Sequence, residues 1–185
     1  MSTVPERPRR PERVALGFEE YRSLPEVARS EYVDGHVVMT PPPTARHQRV
    51  AHRLAGLIER GAPELFVVGG CGVWTGAQRI RIPDVVATEH PFDAAWAPDV
   101  PVLVGEVVAP STRVEDTLRK TAEYCEAGIA QYWVADPDST RLTVLGNNGT
   151  GWDVVLDLDA DVLTGRAQVA AASVVEVDLW RLLAP

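Results

Sequence analysis

Residues 101–108 read PVLVGEVV. A run of β-branched and apolar residues this long predicts a strand covered on both faces, and Glu106 stands in the middle of it. A carboxylate there is costly to desolvate unless a cation or a metal ion meets it, so the strand predicts a partner for Glu106 as well as a core. The next segment is well marked. Thr112, with Glu115 three residues on, has the capping-box pattern, and the helix predicted from Arg113 to Ala127 is closed by Gly128. Gln131 to Asp136 then reads as a strand again.

Upstream, Gln78 to Thr88 predicts a strand that alternates at Ile80 and Ile82, and Leu65 to Trp74 another, Val-rich and interrupted by Gly69, Gly70 and Gly72. Before them, Thr44 caps a helix predicted over Ala45 to Arg60. Its Val50, Leu54, Leu57 and Ile58 fall at i, i+4, i+7 and i+8, and Gly61 ends it. A strand or hairpin at Glu31 to Met39 turns at Asp34 and Gly35, and a short helix covers Phe18 to Leu24. Downstream, strands are predicted at Thr140 to Leu145 and Trp152 to Leu158, with a terminal helix from Asp178 to Leu183. Residues 1–13, rich in Pro and Arg, read as a flexible arm before a single domain over 14–185. The order helix, three strands, helix, strand, with additional strands at both ends, predicts an α/β fold around a central mixed sheet flanked by helices. Neither a dinucleotide-binding glycine motif nor a phosphate-binding loop is present.

The chain has 185 residues, 18 basic and 26 acidic, for a net charge of −8. A polybasic nucleic-acid coat is excluded. No apolar stretch reaches the roughly 20 residues of a membrane helix, and the start lacks a signal-peptide core, which predicts a cytoplasmic protein away from membranes. Cys71 and Cys125 stand alone, without zinc-ligand spacing or a disulfide framework. Of the 18 basic side chains all but Lys120 are arginine. A lone lysine in an arginine-using chain points to a need for a compact, titratable ammonium.

Asp84, in RIPDVV, is a second acid inside an apolar run, on the segment before Glu106. Asp116, Lys120 and Tyr124 follow one another at i, i+4 and i+8 on the helix after it, so a helix folded back on the sheet brings Lys120 to both acids. Two carboxylates and an ammonium around a polar cavity suit Mg²⁺- or Mn²⁺-dependent phosphodiester hydrolysis: hard oxygen ligands hold the ion, and lysine orients or deprotonates the attacking water. Plainer readings stand beside this one. Asp84 suits a turn acid paired with Arg79 or Arg81, Glu106 a buried ion pair with an arginine, and Lys120 a helix-surface partner of Asp116.

The runs YVDGHVVMTPPPTARHQRV, RIPDVVAT, VGEVVAPSTRVEDTLRKTAEYCEAGI and QYWVADP resemble the Uma family of endonucleases, within the PD-(D/E)XK nuclease superfamily, over roughly residues 16 to 183. The resemblance implies a restriction-endonuclease-like core, α-β-β-β-α-β. It implies catalytic roles for Asp84, Glu106 and Lys120, with Asp84, Glu106 and the backbone carbonyl of Val107 as metal ligands. The superfamily's lysine usually stands two residues after the acid, where this chain has Val108; in the Uma-like group it stands on the following helix, as Lys120 does. Glu31, His47, Gln48 and Tyr124 take possible auxiliary places. His36, Ala109 and Gln131 depart from the family's usual residues.

The function expected is endonucleolytic cleavage of DNA. Arg46, Arg49 and Arg53, with Arg60, keep near-helical spacing and are candidates for phosphate contacts, as is the Arg7 to Arg10 arm; a solvated helix face is the alternative. Nucleases of this size commonly act as homodimers, and Trp180, Leu182 and Leu183 are candidates for a seam. Two other functions fit the residues: a scaffold that retains the fold without cleaving, and a hydrolase of small phosphorylated molecules, which suits the acidic surface.

Overall fold

The computed structural model describes residues 11–24, 30–110, 115–170 and 173–184, with Asp116 described by its backbone alone. The Arg7 to Arg10 arm, the Thr112 cap, the predicted start of its helix and the Asp116 side chain lie outside the described residues.

In chain order the elements are β1 (Glu12–Ala15), α1 (Phe18–Arg22), β2 (Ser30–Val33), β3 (His36–Met39), α2 (Ala45–Gly61), β4 (Phe66–Val68), β5 (Val73–Gly76), β6 (Arg79–Arg81), β7 (Val85–Thr88) and β8 (Leu103–Val107). A π-helical turn, Glu115–Arg119, runs into α3 (Lys120–Glu126), followed by β9 (Gln131–Asp136), β10 (Arg141–Asn147), β11 (Trp152–Leu158), β12 (Thr164–Val169), β13 (Ser173–Asp178) and α4 (Leu179–Leu183).

The central sheet has the order β11-β10-β9-β8-β7-β4. It is mixed: β8 runs parallel to β9, and the other pairs are antiparallel. Alternation along β8 divides its side chains between two faces. Leu103 and Val107 pack with Val50, Leu54 and Ile58 of α2, in a core that also takes in β12, β13 and α4. Val104 packs on the opposite face with Val86, Tyr132 and Tyr124 of α3. Glu106, two residues on, shares that face. Gly105 lets α2 come close, since a Cβ there would stand 3.0 Å from Leu54 Cδ2.

A second sheet, β1-β3-β2-β6-β5, contains the hairpin that turns at Asp34 and Gly35, both at positive φ (49° and 83°). Residues 12 and 13, assigned to the arm from sequence, lie in β1, paired with β3.

The three extended segments expected between the helices are five strands. Leu65 to Trp74 divides into β4 and β5, and Gln78 to Thr88 into β6 and β7, one of each pair in each sheet. Gly69 and Gly70 break the first segment and Ile82-Pro83 the second, since proline has no N–H for a ladder. The crossings are stapled together: Gly70 N–H donates to Pro83 O at 3.3 Å. Asp84 sits at this passage from sheet to sheet. The C-terminal β12–β13 hairpin pairs Thr164–Val169 with Ser173–Asp178 and was not anticipated by number. Leu182 and Leu183 belong to the α2-side core, so they supply no seam; Trp180 alone of the three is exposed.

Candidate active site

The N-terminus of α2 is fixed by the Thr44 side chain, which accepts from the His47 N–H at 3.2 Å. It forms one wall of a cleft of about 1130 Å³ that also takes in Glu31, Asp84, Glu106 and Lys120. Asp84 reaches it from the crossing before β7. Its Oδ2 accepts from the backbone N–H of Val107 at 2.8 Å, and His47 Nε2 lies 3.2 Å from the same oxygen. The carboxylates of Asp84 and Glu106 therefore meet at a single peptide, one bonded to it and the other attached through Cα.

Glu106 is 4% exposed. Lys120 Nζ donates to its Oε1 at 2.8 Å, and the Tyr124 hydroxyl donates to the same oxygen at 2.7 Å. Burial, then the negative charge of Glu106, pushes the Tyr124 hydroxyl well above its ordinary value, so it stays protonated and donates. Lys120 also lies 3.2 Å from Glu31 Oε1. The arginine partners open to Asp84 from sequence lie elsewhere: Arg79 bonds to Asp34, and Arg81 to Glu31, Glu115 and Glu123.

The donor chemistry fits a hard divalent cation. Asp84 and Glu106 would supply carboxylates and Val107 a carbonyl: within a strand a residue's N–H and C=O point to the same side, here that of Asp84, while Val108 N–H turns the other way to Ala135 O. Among the described residues no three His, Cys, Asp or Glu side chains form a metal-holding group, so a cation here would rest on two side chains and a peptide oxygen.

Other candidates fall in different places. Gln48 and Arg46 line the cleft, Arg46 tied to Asp138 Oδ1 at 3.0 Å and Pro137 O at 2.8 Å. Arg49 is exposed, whereas Arg53 donates to the carbonyls of Leu182 and Ala184. The spacing of these arginines holds, but only Arg46 reaches the cleft. Gln131 bonds to Trp133 Nε1 and Gln168 O, and His36 to Asp34 O. Cys71, its thiol pushed up to about 11 by burial, is a thiol at neutral pH.

Arg81, Glu115 and Glu123 were missed. Arg81 is fully buried, and Glu123 takes two bonds from its fork, at 2.6 and 2.7 Å. The only signal was alternation with Ile80 and Ile82, which predicts a wet face for Arg81; here both faces of β6 are covered.

A family model, Uma2, described as "Putative restriction endonuclease", matches residues 18–177. The crystal structure of "a putative nuclease belonging to DUF820" from Anabaena variabilis ATCC 29413 is similar at a TM-score of 0.73, covering 91% of this chain and 97% of that one at 17% identity. That likeness carries the fold, a restriction-endonuclease-like core. No curated protein matches.

Proposed function

This chain belongs to the Uma2 family, and on that premise we propose that it is a Mg²⁺- or Mn²⁺-dependent endonuclease that hydrolyses DNA phosphodiester bonds. The observation that carries the reading is the meeting of Asp84 and Glu106 at the Glu106–Val107 peptide with the chain's lone lysine on Glu106. Asp84, Glu106 and the Val107 carbonyl would hold the ion. When bound, it supplies charge neutralisation at the scissile phosphate and a coordinated water of lowered pKa.

The protein's own groups set the geometry. Val107 N–H and His47 hold Asp84 in place. Tyr124 orients Glu106 from its hydroxyl. Lys120 donates from Nζ, orienting the attacking water and countering charge that develops on the phosphate. Cutting both strands calls for two copies, and the same reading sets the work in the cytoplasm; among the described residues no helix is long and apolar enough to cross a membrane.

Plasmid, single-stranded DNA, RNA and a small phosphodiester, each with Mg²⁺ or Mn²⁺, form the test. Wild type should nick plasmid and stop on chelation, and Asp84→Asn and Glu106→Gln should each lose at least a thousandfold in rate with melting retained. Wild-type inertness toward all four substrates would leave a scaffold, and cleavage of the small diester alone would leave a small-molecule hydrolase.

A further inference from the structure

Arg81 lies beneath the cleft with no exposure. Its Nε and Nη2 hold Glu123, Nη1 donates to Glu31 Oε2 at 2.8 Å, and Nη2 also donates to Glu115 Oε1 at 2.8 Å. The other oxygen of Glu31 accepts from Ile82 N–H and lies 3.2 Å from Lys120 Nζ. Charges therefore alternate in a line from the Arg81 guanidinium through Glu31 and Lys120 to Glu106.

The two remaining carboxylates bracket the lysine. Glu115 stands five residues before Lys120 and Glu123 three after. The intervening turn is π-helical, a form frequent at functional sites, and Glu115 at its start accepts from the same Arg81 Nη2 that holds Glu123. A planar guanidinium offers five N–H donors in a rigid fork and so holds three carboxylates in preset directions from one buried point, whereas an ammonium offers three on a rotating head. Desolvating it offsets much of the Coulombic gain, so stability alone is a poor reason for such a cluster, and fixing one geometry is a better one.

We infer that Arg81 is a positioning residue: through Glu31, and by clamping the helix on both sides of Lys120, it aims the lysine ammonium at Glu106. The inference rests on the nuclease reading for its kinetic consequence but has an independent readout. Lys120 is the only side-chain amine in the chain, so its acetylation by an N-hydroxysuccinimidyl ester is measured by peptide mass without interference from other lysines.

The full chain would be compared with Arg81→Gln, with Glu31→Gln, which removes a single link, and with Leu182→Ala, which loosens the core remote from the cleft. Folded Arg81→Gln and Glu31→Gln should acetylate Lys120 at least tenfold faster than wild type and lose at least tenfold in kcat on plasmid, with KM within twofold. Where Arg81→Gln does not fold, Glu31→Gln decides. Wild-type acetylation and kcat in folded Glu31→Gln would overturn the inference, as would an equal rise in acetylation in Leu182→Ala at matched loss of melting temperature. An inert wild type would sink the nuclease reading and leave the acetylation comparison to rule on Arg81.

Discussion

Glu31 shows how a single carboxylate reports on its surroundings. Burial pushes its carboxyl up, but the charges of Lys120 and Arg81, with hydrogen bonds from Arg81 and Ile82 N–H, outweigh burial and hold it below the ordinary 4.5. A lowered value in the folded state means that ionised Glu31 contributes stability above the unfolded value and loses it as pH falls through the folded one. Urea midpoints of wild type and Glu31→Gln should therefore be furthest apart near neutral pH and converge below about pH 4; a gap that widens in acid would contradict this. At this scale Asp84, Glu106 and Lys120 were legible because each is anomalous in place, two acids in apolar runs and one lysine among arginines. Arg81 was hidden by being one arginine of many and by an alternation that implies solvent only if one face of the strand is wet.

At the scale of elements, α2 was legible nearly to the residue because its signals are local: Thr44 caps it, and Val50, Leu54 and Ile58 are fully buried. Thr44→Ala removes the acceptor for His47 N–H and should cost about 1 kcal/mol, read as a lower denaturant midpoint at unchanged slope. The Asp34-Gly35 turn and the terminal helix beginning at Asp178, whose side chain accepts from Arg181 N–H, were legible for the same reason. The division of two extended segments between two sheets was not, since strand pairing depends on partners distant in sequence. Nor was the π-helical turn, because apolar spacing across one extra residue still reads as an α-helix. Glu115, at the start of that turn, accepts from Arg81; the Asp116 side chain, expected on one stripe with Lys120, lies outside the described residues.

For the whole molecule, net charge −8 limits how far general attraction can serve a polyanion. Arg53 is committed to the Leu182 and Ala184 carbonyls and Arg46 to the β9–β10 turn, which leaves Arg49 and Arg60 as the exposed arginines of α2 without such a tie. On the proposed reading, the logarithm of DNA affinity should fall with the logarithm of salt at a slope of about −2, and Arg49→Ala should make it shallower by about 0.9. Arg53→Ala should lower thermal stability and leave the slope unchanged. A slope near −6 would mean that other cations, outside this helix, carry the binding.

The parallel pairing of β8 with β9 forces the chain between them to return through α3, and this has a kinetic consequence. Glu106 and Lys120 are 14 positions apart, whereas Arg81 and Glu31 are separated by 50; the longer closure costs about 1 kcal/mol more entropy. The crossover can thus bring its acid and amine together early, with the two-sheet half docking onto them later. On that route, weakening the Arg81–Glu31 link hastens unfolding more than it slows refolding.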